Sequence, residues 1–183
     1  WLSPSGKMKH DEVILPHIQA ALKEGGTQLL FVHLAGTHLD YYNRYPSEFD
    51  LPGQTFNSPF GPEADEYIRH YHNAVFYQDF VISEICKMTE RLDYPATVTY
   101  FSDHGEEVYD ERNFHGHSQV RLSRYMTDVP FFVFANSAYK DEKRDHWYYL
   151  NGFEDSPIEI EQFKEVLASL IYADSLQLDD KPI

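Results

Sequence analysis

Apolar residues along this chain fall into two kinds of pattern, short continuous runs and longer sets spaced three or four apart. Between His10 and Glu24, the residues Val13, Ile14, His17, Ile18, Ala21 and Leu22 share one helical face, and Gly25-Gly26 ends it. Thr27 to Leu34 follows as a nearly continuous apolar run, the pattern of a strand covered on both faces. Ala64 to Leu92 is the longest periodic segment, with Ile68, Tyr71, Val75, Ile82, Ile85 and Leu92 at helical spacing and Phe76 and Phe80 widening the face. Ala96 to Phe101 is β-branched and aromatic, as a buried strand prefers. Val129 to Phe134 is a third such run, its Pro130 near the start where a missing N–H is tolerated. Ile160, Phe163, Val166, Leu167, Leu170 and Ile171 predict a last helix, with Ser156-Pro157 as its cap and first turn. Val108 to Ser123 and Lys140 to Asp155 read as polar or charged loops. The order strand, long helix, strand predicts an α/β fold with a right-handed crossover between parallel strands.

Two of the predicted strands end in chemistry. The first runs into Ala35-Gly36-Thr37-His38, and the second into Ser102-Asp103-His104-Gly105-Glu106-Glu107. Ligands gather at the carboxyl ends of strands in open α/β sheets. Neighbouring residues of a straight strand face opposite ways, so Asp103 and His104 reach one ion only if the backbone bends, which Gly105 permits. His33 lies inside its strand and reads as a core residue or a support for the site. His115 and His117 follow in the next loop. Oxygen and nitrogen donors without thiolate suit a catalytic zinc or manganese ion. An acidic loop that happens to hold a histidine is the alternative reading of the same residues. Tyr41, Tyr42 and Tyr45 around Arg44 read either as a substrate wall or as a packed surface loop.

Composition narrows the partners. The 183 residues suit one domain or a piece of a larger one. A net charge of -15, from 30 acids against 15 bases, excludes a nucleic-acid backbone, which needs clustered Lys and Arg. Phosphate chemistry at a metal ion remains open, because the ion supplies the positive charge locally. Cys86 is the single cysteine, so no intrachain disulfide forms, and its place in the long helix predicts a buried thiol. No run approaches the ~18 apolar residues of a membrane span. Trp1-Leu2-Ser3-Pro4 reads as the tail of an earlier element, so the chain is expected to be a piece of a longer protein.

The segment Ser102 to Glu107 resembles the metal-binding signature of the alkaline phosphatase and sulfatase superfamily. Within it the chain is similar to the bacterial phosphoethanolamine transferases. Three further blocks carry that likeness in the family's order: Phe31 to His38 continued by Tyr42, Arg44-Tyr45-Pro46 and Phe49; Tyr71, Asn73-Ala74-Val75, Tyr77 and Asp79-Phe80-Val81; and Gly116-His117-Ser118 with Tyr125-Met126 and Val129-Pro130-Phe131. The resemblance implies an alkaline phosphatase-like three-layer sandwich with a mostly parallel sheet. Residues 1–183 would be the carboxyl-terminal half of that catalytic domain, with no second domain. It implies Asp103 and His104 as zinc ligands, and His38 as a contact of the phosphoryl group or of a second metal. His117, or His115, fills the remaining position, and Glu106 orients His104 from behind or is a surface carboxylate. The implied cofactor is zinc, one or two ions, with manganese as the alternative. The implied reaction moves phosphoethanolamine from phosphatidylethanolamine, through a threonine, to lipid A, core heptose or a periplasmic glucan. The implied place is the periplasmic face of the bacterial inner membrane, with the membrane anchor outside this chain.

The departures matter as much. The family's acidic zinc ligand and nucleophilic threonine precede the region covered here, and neither Thr27 nor Thr37 replaces the threonine, so the piece alone is expected to be inactive. Pro4 stands where members often carry asparagine, and His72 where they carry aspartate. One rival is another enzyme of the superfamily, a sulfatase, phosphodiesterase or phosphoglycerol transferase. A catalytically inactive binding domain that holds no zinc is the other.

Overall fold

The computed structural model describes residues 10–152 and 156–172. Trp1 and Pro4, singled out above, lie outside the described residues. The chain divides into two compact units, Trp1–Ile85 with His104–Val129, and Cys86–Asp103 with Pro130–Ile183.

In the first unit a 3-10 turn, Asp11–Ile14, leads into helix α1, Leu15–Glu24, with Pro16 in the first turn where its missing N–H costs nothing. Both Asp11 carboxylate oxygens accept backbone N–H groups, from Ala35 and Gly36, each at 2.9 Å. That pins the turn carrying His38 to the start of the helix. Helix α2, Pro62–Glu90, supplies the main packing surface, its residues up to Ile85 belonging to this unit. Tyr45, Ala74, Tyr77 and Val81 form the core, with Leu15, Leu34, Phe49 and Ile85 packed against them.

The buried stripe of α2 is not the one that apolar spacing predicted. Val75, Phe76 and Phe80 are exposed, while Asn73 and Gln78 are buried. Asn73 earns its place through bonds: Nδ2 donates to Tyr45 Oη at 3.1 Å and to Asp50 Oδ1 at 2.9 Å, and Oδ1 accepts from the Leu51 amide at 3.4 Å. A fully bonded amide is as acceptable in a core as a methyl group, and a search for hydrophobic periodicity cannot see it.

Residues 27–34 also depart from expectation. Phe31 is 78% exposed, and among the described residues no strand pairs with this run, so it lies outside helix and sheet. The predicted parallel crossover is accordingly not formed among the described residues. The predicted polar loop from Val108 instead contributes a short hairpin. Strand β2, Glu107–Val108, pairs antiparallel with a later strand, His115–Gly116, placing Glu107 opposite Gly116 and Val108 opposite His115. A short helical turn, Arg124–Thr127, follows, and the carbonyl of Met126 accepts the Gly105 N–H at 2.9 Å.

In the second unit, strand β1, Thr97–Phe101, pairs antiparallel with Phe131–Ala135, from Thr97 opposite Ala135 to Phe101 opposite Phe131. Tyr100 stacks on Phe132 at 5.3 Å, and Phe101 packs on Phe163 at 4.2 Å. Cys86 is half-buried rather than buried, and desolvation pushes its thiol up from the usual value. Asn136, fully buried, ties the unit together. Its Oδ1 accepts from the amides of Ala96 and Tyr139, and its Nδ2 donates to the carbonyls of Thr89, Leu92 and Tyr94. The first of these roles at Tyr139 is a helix cap, and it starts a helix, Ser137–Glu142, where a loop was expected. A second helix, Arg144–Asn151, continues it. Packing of Lys140 over Phe134 and Trp147, at 5.6 and 5.0 Å, explains how so charged a stretch folds against an apolar sheet. The last helix begins at Phe163, after a 3-10 turn Ile160–Gln162, and not at Pro157. Gln162 Oε1 accepts the Glu159 N–H at 2.7 Å across the 3-10 turn, and no side chain caps the helix at its start.

Candidate metal centre

The first unit brings three potential metal ligands together. His104, Glu106 and His117 each offer a nitrogen or carboxylate oxygen, and these atoms lie within 4.8 Å of one another. The rings of His104 and His117 are 4.1 Å apart, and Glu106 Oε1 is 3.7 Å from His117 Nδ1. His104 and Glu106 sit on the short irregular link before β2, and His117 follows the strand that pairs with it. The hairpin therefore closes the cluster: its register returns His117 to the residues that precede Glu107.

Gly105 makes the link possible, for a reason other than the bend expected of it. Its φ is not in the left-handed region that favours glycine. A Cβ placed there would instead lie 2.2 Å from the Tyr125 carbonyl oxygen. The residue is glycine because two backbone segments touch.

Glu106 is buried, which removes the reading of it as a surface carboxylate. Its Oε2 accepts a hydrogen bond from the Tyr41 hydroxyl, while its Oε1 is buried and, among the described residues, has no hydrogen-bond partner, with His117 Nδ1 at 3.7 Å its charged neighbour. Burial first, and then the bond to Glu106, raise the Tyr41 pKa far above the ordinary phenol value, so the hydroxyl stays protonated and donates. Tyr41 is 1% exposed and packs edge-on against Tyr71 at 5.1 Å. The neighbouring Glu107 is fully buried and ion-paired with Arg112 at 2.9 Å, and Arg112 also donates to the Arg121 carbonyl at 2.7 Å. That pairing holds the far side of the hairpin.

His38 lies beside this cluster, its ring 6.5 Å from that of His117. Its Nδ1 donates to the Leu39 carbonyl at 2.8 Å, which leaves the lone pair of the neutral ring on Nε2. Arg44 Nε donates to the His38 carbonyl at 2.7 Å, and its Nη2 donates to the Leu39 carbonyl. Arg44, half-buried, thus braces the loop through its backbone carbonyls, and Tyr41 and Tyr45 are buried, so these side chains do not form an open substrate wall.

The other sequence candidates fall elsewhere. His115 stacks on Tyr67 at 4.0 Å and shares a hydrogen bond with Tyr109 Oη at 2.9 Å, so it is held by aromatic rings and lies outside the cluster. His33 is exposed and is not drawn into the cluster. Asp103 belongs with β1 to the second unit, and the three-residue cluster is formed without it. Tyr41 was missed by motif reading, which favoured its neighbour Tyr42; only burial separates the two.

The donor set fits a divalent metal ion. A buried carboxylate oxygen that has no hydrogen bond among the described residues and faces two imidazoles suits a cation between them. His104 Nδ1 donates to the Gly105 carbonyl at 3.0 Å, which puts the lone pair of that ring on Nε2.

Comparison with known proteins gives the same direction. The Sulfatase family model matches residues 2–151. A phosphoethanolamine transferase EptC from Escherichia coli O18:K1:H7 is 34% identical over 140 residues, which are 72% of this chain and 24% of that protein. Phosphoethanolamine transferase EptA from Helicobacter pylori is 33% identical over 144 residues, 73% of this chain and 27% of that one. The crystal structure of the C-terminal periplasmic domain of EptC from Escherichia coli, in complex with Zn, superposes with a TM-score of 0.69 at 30% identity, covering 76% of this chain and 41% of that domain. The chain thus spans about a quarter of the length of the curated relatives it matches.

Proposed function

The chain belongs to the sulfatase family, and from that membership we propose that it is part of a zinc-dependent phosphoethanolamine transferase. Its substrate would be phosphatidylethanolamine, and its acceptor a glycan or lipopolysaccharide of the cell envelope. The observation that carries the reading is the buried Oε1 of Glu106, without a hydrogen bond among the described residues and clustered with His104 and His117. The similarity to transferases named for phosphoethanolamine supplies the substrate class.

Asp103 and His104 are the proposed ligands of the catalytic zinc, and Glu106 and His117 the donors that complete a site or hold a second ion. Bound there, zinc lowers the pKa of a hydroxyl nucleophile and offsets charge on phosphoryl oxygens. The remaining chemistry belongs to side chains. A threonine outside this chain forms a bond from its oxygen to phosphorus as the bond from phosphorus to the diacylglycerol oxygen breaks. His38, protonated and outside the donor cluster, gives a proton to that leaving oxygen, a part open to His117 only where it holds no ion. In the second step the same imidazole removes a proton from the acceptor hydroxyl. The new oxygen–phosphorus bond forms and the threonine is released. Among the described residues no helix is long and apolar enough to cross a membrane. Periplasmic placement and a membrane anchor elsewhere in the protein are part of the proposal.

The test uses the full-length protein with vesicles of phosphatidylethanolamine and purified lipopolysaccharide, read by mass spectrometry of the acceptor. Added phosphoethanolamine that disappears after chelation and returns with zinc is expected. His38→Ala should lower the rate by about 10²- to 10⁴-fold, the usual contribution of a proton-transfer group. Hydrolysis of an aryl sulfate or a phosphodiester, with no transfer of phosphoethanolamine, would overturn the reading. So would a purified protein without bound zinc.

A further inference from the structure

We infer that Tyr41 is a positioning residue for the metal centre, acting through Glu106. A carboxylate in a polar pocket can offer either oxygen, or both, to an ion. Here one oxygen is committed: Glu106 Oε2 accepts the Tyr41 hydroxyl, leaving Oε1, which has no hydrogen bond among the described residues, turned to the side of His104 and His117. The choice is fixed because neither partner can turn away. Tyr41 is 1% exposed, and its ring is held edge-on by Tyr71 at 5.1 Å and Tyr67 at 6.4 Å, both on α2. Glu106 is 7% exposed, and its backbone is anchored on one side by the Gly105 N–H to Met126 carbonyl bond and on the other by the β2 ladder.

Tyr41 also belongs to the loop that carries His38. Arg44 binds the carbonyls of His38 and Leu39 from the same loop. One short segment therefore presents an imidazole to the site and orients a carboxylate within it. Partners behind metal ligands fix ligand orientation and basicity, and losing one typically weakens metal binding about ten- to hundredfold.

The inference rests on the metal reading above, and the experiment separates their failures. Zinc affinity is measured on the full chain by chelator competition for four proteins: the parent, Tyr41→Phe, Glu106→Gln and the double variant. Thermal melting by circular dichroism sets an assay temperature at which all four are folded. A parent protein that binds no zinc removes the metal reading itself. With zinc bound, Tyr41→Phe should weaken affinity about ten- to hundredfold, and the double variant should bind no more weakly than Glu106→Gln alone. Cobalt substitution gives a second readout, since the visible bands of the ion change when the carboxylate changes its mode of coordination. A purely structural Tyr41 would lower the melting temperature and leave zinc affinity and the cobalt spectrum at parental values, which would overturn the inference. Independent effects that multiply in the double variant would overturn it too.

Discussion

Replacing Gly105 by alanine tests how the metal-site link is held, and its cost can be worked from the structure. The backbone at this residue does not require glycine, so the penalty is one of space. An added Cβ would stand 2.2 Å from the Tyr125 carbonyl oxygen, 3.2 Å from its carbon and 3.5 Å from Met126 Cα. These are backbone atoms, which cannot swing aside as a side chain would. Ordinary contact needs roughly 3.5 Å, so the two segments must part by about 1 Å. The Gly105 N–H to Met126 carbonyl bond, now 2.9 Å, would be lost in the process. Overpacking costs about 1–3 kcal/mol, and the bond about 1 kcal/mol more. Gly105→Ala is therefore expected to destabilise the protein by about 2–4 kcal/mol. His104 and Glu106 flank the glycine, so zinc affinity should fall in the fraction that remains folded. Urea denaturation followed by tryptophan fluorescence measures the first effect, and chelator competition the second. A variant within about 0.5 kcal/mol of the parent, with parental zinc affinity, would show that the link is not held by this contact.

Two further outcomes concern the second unit. Asn136→Ala removes a helix cap and strands several buried backbone groups, and should cost about 3 kcal/mol in a denaturation experiment; a loss below about 0.5 kcal/mol would refute the role given to its five hydrogen bonds. His146 is 3% exposed, with Nδ1 sharing a hydrogen bond with Tyr139 Oη at 2.6 Å and Nε2 without a hydrogen-bond partner among the described residues. Burial lowers its pKa, so the folded form holds the neutral ring while the unfolded chain takes up a proton near pH ~6.5. Stability should be full above that pH and decline as pH falls toward the folded value. His146→Phe should flatten the decline, and an unchanged pH dependence of the denaturation midpoint would count against the buried neutral ring.

Much of the architecture was legible because it depends on local rules. The breaks at Gly25-Gly26, the long helix ending at Glu90 and the strands at Thr97 and Phe131 follow from periodicity and β-branching. What escaped was set by distant partners. Asn73 is buried because Tyr45 and Asp50 satisfy it, and Asn136 starts a helix because three carbonyls hold its amide. The same holds at the site. His104 and His117 were visible as residues with metal chemistry, but the separation of His117 from His115 came from hairpin register and from the ring stacked on Tyr67. Tyr41 carried no motif at all; its hydroxyl matters only because Glu106, 65 residues later, folds against it.

The run at 27–34, exposed at Phe31 and unpaired by any described strand, bears on colloidal behaviour. A mostly apolar stretch exposed in this way is adhesive, and copies of these 183 residues by themselves can associate through it. A net charge of -15 works against that encounter, since like-charged molecules repel at a distance before any short-range attraction acts. Salt screens the repulsion and leaves the apolar attraction in place. For these 183 residues by themselves, acidity thus sets a long-range repulsion against a short-range attraction, and the balance shifts with the ionic strength of the buffer.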